Sequence, residues 1–183
     1  RQHIANSEPF TAAILDRLAA VLFPSIRQED KMSAQHIFDN TPLGSIIRYS
    51  DGAPKPPARF TRKLEHWERS NGSGRLIRKS PGREVGNHPF PASFTLHEGD
   101  FGGGGVVLIV LHRSFSVDTR LRFEVVESPK TGMVRVVAQY SAETELLHLA
   151  ASHEAAASWL RQHPHTNAVL EEVMTEEPSL QAA

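Results

Sequence analysis

Residues 121–140 constrain the fold more than any other stretch of the chain. Leu121, Phe123 and Val125 alternate with Arg122 and Glu124, and Val134 and Val136 resume the alternation after a Ser-Pro-Lys-Thr-Gly break. A strand points successive side chains to opposite faces, so this pattern belongs to extended chain with one face in a core and the other in water. The break from Ser128 to Gly132 has turn chemistry, and the two runs together predict an antiparallel hairpin. Period two also marks "GRLIRKS" (Gly74–Ser80) and "ASFTLH" (Ala92–His97), and a further strand is expected around Ser45–Tyr49. "VVLIVLH" (Val106–His112) is apolar on both faces, as a central strand covered on each side would be.

Helical spacing appears in three places. Ile14, Leu18 and Leu22 recur four apart between Pro9 and Phe23, and Pro24 ends the pattern. In "TRKLEHWERSNG", Phe60, Leu64 and Trp67 fall on one side, and Arg62, His66 and Arg69 on the other. Thr61 is the expected N-cap of this short basic helix, and Asn71-Gly72 its stop. Its apolar side is expected to fasten it to the sheet. The segment from Ser141 to Pro164 admits one long helix, or a strand over Thr144–Ala150 and then a helix over His153–Gln162. Ser152 as cap, Glu154 in the first turn and Pro164 as a stop favour the split. Residues 167–173 add a last strand or helix.

These elements predict an α+β fold. A mainly antiparallel sheet of about five to seven strands carries a short basic helix, a C-terminal helix packed on the sheet and an N-terminal helical arm. Residues 1–31 are read as that arm or an extension, 32–174 as a single α+β domain, and 175–183 as a flexible tail. The chain has no cysteine, which excludes a disulfide framework, a thiolate zinc site and a cysteine nucleophile. Its early apolar segment is broken by Asp16 and Arg17 and is too short to span a bilayer, so a cytoplasmic protein without membrane contact is expected.

Signatures of catalysis are weak. Asp100-Phe101-Gly102 precedes His112-Arg113-Ser114, the reverse of the order in a protein kinase. The glycines at 102–105 lead into a β-branched strand, not into the helix N-terminus that a phosphate-cradling loop requires. They are read as a mobile connection, or a bulge where another backbone passes closely. Ten histidines invite a metal search, but none has a spacing that converges ligands. His97, Asp100 and His112 are the first set to test. Neither a cofactor nor a metal is expected, and catalysis is not.

Charge supplies the functional clue. The net charge is −1, yet ten of the twenty basic residues lie between Arg48 and Arg83, opposed there only by Asp51, Glu65 and Glu68. Ten bases against three acids give this segment +7 and leave −8 for the remainder. Arrays of Lys and Arg bind phosphate backbones through Coulomb attraction and counterion release. The expectation is therefore a small non-catalytic accessory protein that binds nucleic acid without sequence preference, with Arg59, Arg62, Lys63, Arg69, Arg75, Arg78 and Lys79 on phosphates. The alternative is a protein-interaction subunit or inhibitor. It would dock an acidic partner through the basic face or self-associate through the N-terminal helix.

Overall fold

The computed structural model describes residues 32–103, 106–140 and 143–174. The helix expected over Pro9–Phe23 and the tail from 175 lie outside the described residues. In chain order the elements are α1 (Ala34–Asn40), β1 (Ile46–Ser50), α2 (Thr61–Ser70), β2 (Gly72–Ser80), β3 (Arg83–Val85), β4 (His88–Phe90), β5 (Ser93–Gly103) and β6 (Val106–Ser116). They continue as β7 (Arg122–Glu127), β8 (Val134–Tyr140), β9 (Glu143–Ala150), α3 (His153–Gln162) and β10 (Ala168–Glu172). The α+β class holds, and the antiparallel sheet has eight strands, one more than the upper expectation. A separate hairpin of β3 and β4 forms between Pro81 and Pro91, where no strand was expected.

The strand order is β10-β8-β9-β2-β1-β7, with β5 and then β6 branching from β2. Arg75 faces Ile46 on one side and His97 on the other, and Arg78 faces Glu145 and Thr95. Hence β1 and β9 share one side of β2 in succession, while β5 occupies the opposite side. Two cores result. The larger joins Ala34 and Ile37 of α1 to Ile47, Tyr49, Leu76, Phe94, Leu96, Phe115 and Phe123. The smaller sets Val134, Val136 and Ala150 against Ala156 of α3, which packs on β8, β9 and β10. Helix α3 begins where the capping chemistry indicated: the Ser152 hydroxyl accepts from the Ala155 amide at 3.2 Å.

Three expectations are corrected. The first concerns the 121–140 hairpin. Both strands form, but β7 pairs with β1, and β8 pairs with β9 and β10. Alternation reports extended chain with one buried face and is silent about the partner. Phe123 belongs to the larger core and Val134 and Val136 to the smaller one, so the connection leads from one core to the other. Pro129 lies on that connection, against Gly44 at φ +97°. A Cβ at Gly44 would meet the Pro129 ring at 3.0 Å and force a left-handed backbone on an L-residue. Gly44→Ala is therefore expected to lose about 1–3 kcal/mol in urea unfolding.

Second, Val106–Leu111 is not a covered central strand. All six side chains are exposed, from 40% at Leu111 to 75% at Leu108. Third, Thr61 is the first helical residue of α2, and Phe60 occupies the cap position without a side-chain cap bond. No residue of α2 is buried, so Phe60, Leu64 and Trp67 do not fasten it into a core. At Gly102 the close-approach reading does hold: the register shifts there, and a Cβ would collide with the Val106 carbonyl oxygen.

Candidate functional site

Helix α2 sits on an excursion between β1 and β2 whose base is clasped by short polar side chains. Asp51 accepts from the Ala53 amide at 2.9 Å and from the Asn71 side-chain amide at 3.0 Å. These bonds hold its carboxyl below the usual carboxylate range, the backbone bond contributing most. The Ser50 hydroxyl donates to the Asn71 side-chain oxygen at 2.6 Å, and the Asn71 amide donates to the Trp67 carbonyl at 2.9 Å. Further out, the Trp67 indole N–H donates to the Ala53 carbonyl at 2.8 Å. Ala53 and Lys55 thus lie against Trp67 on the apolar side of the helix, which tethers α2 although none of its residues is buried.

Four of the seven expected contact residues gather here. Arg59 and Lys63 stand over the ring of Phe60, at 4.9 and 5.4 Å from its centroid, and Phe60 is 42% exposed. Lys55 stands 5.4 Å over Trp67. At 100° per residue, Arg62, His66, Lys63 and Arg69 form one continuous side of α2, and Glu65 and Glu68 occupy the flank beyond Arg69. Among the described residues, none of Lys55, Arg59, Arg62, Lys63 and Arg69 has an ion-pair partner.

The other three expected residues lie on β2, and their polar ends are engaged within the molecule. Arg75 donates to the Gly44 carbonyl at 2.7 Å. Arg78 pairs with Glu145 at 3.7 Å, and its Nε is buried without a partner. Lys79 stands 5.8 Å over Phe38, and burial lowers its affinity for a proton, offset in part by Asp39. The basic segment therefore divides into an open helical part and a structural strand part. One-dimensional charge density carries no signal for that division, because it does not record which cations acquire partners from distant strands.

A second concentration of polar groups was visible in the sequence only as scattered histidines. Arg75, His97 and His112 are successive cross-strand partners on β2, β5 and β6. The register shift between His97 and Gly99 brings Asp100 back onto His97, whose Nε2 lies 2.8 Å from the carboxylate. Together with Glu145 and His148 of β9 these residues line an open cleft of about 440 Å³. Among the described residues, no group of three His, Cys, Asp or Glu side chains has the arrangement to hold a metal ion.

At the cleft's β9 wall, His148 stacks on Trp159 at 4.9 Å, and Trp159 stacks on His163 at 4.5 Å. Burial, then the charges of His163 and Arg75, hold His148 below the ordinary histidine range. The folded state thus prefers neutral His148 more than the unfolded chain does. Its contribution to stability is complete above the unfolded pKa of about 6.5 and declines as pH falls through that value. Thermal unfolding followed between about pH 7.5 and 5.5 should show a decline that His148→Gln reduces; an identical decline in the variant would place the titration elsewhere.

No described helix is long and apolar enough to cross a membrane. No curated protein and no solved structure matches the chain. Residues 32–177, which include every element described above, match the model of the family described as uncharacterised conserved protein UCP036055, and the chain belongs to that family.

Proposed function

We propose that the chain is a non-catalytic binding protein that engages nucleic acid through α2 and the segment leading into it, with little sequence preference. The observation that carries this reading is the set of five cations on and beside α2 that have no ion-pair partner among the described residues, two of them over the exposed ring of Phe60. Arg62, Lys63 and Arg69 give a phosphate-tracking stripe one helix face long. Phe60, 42% exposed beside Arg59 and Lys63, presents a ring on which an unpaired base can stack. Flexible single strands suit this arrangement better than a duplex, because a stacking ring needs bases that are already free. Arg75, Arg78 and Lys79 support the strand beneath and are left out of the proposed contact set. A cytoplasmic setting without cofactor accompanies this reading.

Anisotropy of a labelled single-stranded oligonucleotide tests it. About four neutralised phosphates give a slope of log K against log salt near −3, hence about a fiftyfold loss of affinity between about 50 and 200 mM salt. Arg62→Glu with Arg69→Glu should weaken binding by tenfold or more, and Phe60→Ala by about fivefold or more. Salt-independent binding, or full affinity in the double charge reversal, would refute the proposal.

A further inference from the structure

Strand β6 pairs only with β5, so its outer backbone edge is open among the described residues. Along that edge run Val106, Val107, Leu108, Ile109, Val110 and Leu111, without a charge or a proline. Phe101, the cross-strand partner of Ile109, is 56% exposed as well. Soluble proteins ordinarily blunt a free edge with charge, proline or a covering loop. This edge has none of these protections over six residues, and the strand is apolar on both of its faces.

Lipid is a poor occupant. A two-stranded hairpin in hydrocarbon would leave the backbone groups of its outer edge unsatisfied, at several kcal/mol each. An apolar groove on another protein would cover one face and leave the alternate side chains in water. A strand bonded to the open edge satisfies the backbone first, and apolar side chains of its own then extend both faces.

We infer that the β5–β6 hairpin is a homodimer interface, in which β6 pairs antiparallel with β6 of a second copy. The sequence of the strand is self-complementary under a two-fold axis. With the axis at Leu108, Val107 lies opposite Ile109 of the other copy and Val106 opposite Val110, so every pair is apolar and no charge is buried. Pairing at this edge satisfies the open N–H and C=O groups of β6 and brings the exposed side chains of residues 106–110 into cross-strand contact with those of the second copy. Among the described residues each chain has one such apolar edge, so the contact closes at two copies and joins two eight-stranded sheets into one. The inference is independent of the nucleic-acid reading, since its readout is mass rather than affinity.

Light scattering on the full chain at micromolar concentration should give the mass of a dimer. Leu108→Lys puts a charge at the most exposed position of the strand and removes no core contact; it should yield a folded monomer, with dissociation favoured by a hundredfold or more. The chain's lack of cysteine permits a second test. Leu108→Cys should form a disulfide-linked dimer quantitatively on mild oxidation, whereas Cys at exposed Ser128 should not. A monomeric parent chain, a Leu108→Lys variant that remains dimeric, or equal cross-linking at both positions would overturn the inference. So would a monomer that floats with neutral phosphatidylcholine vesicles through its hairpin.

Discussion

Phe94→Ala is expected to lower the unfolding free energy by about 3–5 kcal/mol, the largest effect of any single truncation considered in this chain. Phe94 is fully buried and directly opposite Phe115 in the β5–β6 register. Its ring lies 5.7 Å from Phe115 and 5.3 Å from Phe123, edge-on to the latter, while Tyr49 completes the cluster at 4.8 Å from Phe115. These four rings come from β5, β6, β7 and β1, so the cluster joins strands that the chain visits far apart. Truncation removes the transfer energy of the ring and leaves a cavity among side chains that are themselves ring-shaped and cannot collapse into it. Urea denaturation of the parent, Phe94→Ala and Phe101→Ala measures the contrast. Phe101 is mostly exposed on the projecting hairpin, and its loss should change stability by no more than about 0.5 kcal/mol. A loss below about 1 kcal/mol for Phe94→Ala would mean that the aromatic cluster is not the centre of the domain.

The contrast between those two phenylalanines shows what the sequence could and could not supply. Phe94 and Phe101 lie on one continuous strand, and only the fold turns the first into the core and leaves the second exposed. Local signals were reliable where the physics is local. Ser152, Glu154 and Pro164 located α3 because a cap is made by residues three apart, and alternation identified β7 and β8 as strands. Helix α1 was overlooked although Ser33 caps it at 3.2 Å, because seven residues hold too few turns for periodicity to emerge. Pairing was not legible. An antiparallel strand chooses its partner through burial on the whole sheet, so β7 joined β1 across a sequence separation that no turn motif encodes. The apolar run at Val106–Leu111 misled for a related reason: a strand that waits for a partner outside the chain has the same composition as one buried within it. The basic segment was legible as charge, and its α2 portion as an amphipathic helix. The separation of free cations from engaged ones depended on Glu145, Gly44 and Phe38, which only the fold brings near.

Arg113→Met should cost about 2–3 kcal/mol of stability and also weaken oligonucleotide binding, although Arg113 is assigned no phosphate. Its Nε lies 2.9 Å from the Glu98 carboxylate, whose side chain is only 10% exposed. The same guanidinium donates to the Arg69 carbonyl in the last turn of α2 and stands 5.4 Å over the Tyr49 ring. Glu98 is placed there by the register shift after His97, and it also accepts from the Tyr49 hydroxyl at 2.5 Å. Burial, then that hydrogen bond, raise the phenol's pKa well above its usual value, so Tyr49 remains a donor and cannot replace a lost cation. Removing Arg113 therefore strands a desolvated carboxylate, which is the source of the stability loss. It also deprives the C-terminal turn of α2 of its donor, and the Arg62–Arg69 stripe loses the fixed spacing that phosphate tracking requires. The two consequences are separable. Glu98→Gln in the Arg113→Met background neutralises the stranded charge and should recover about 1 kcal/mol or more of stability, while the oligonucleotide affinity stays low because the Arg69 carbonyl is still unpaired. A loss below about 0.5 kcal/mol in Arg113→Met, or recovery of affinity together with stability in the double variant, would show that Arg113 does not couple the larger core to the binding helix.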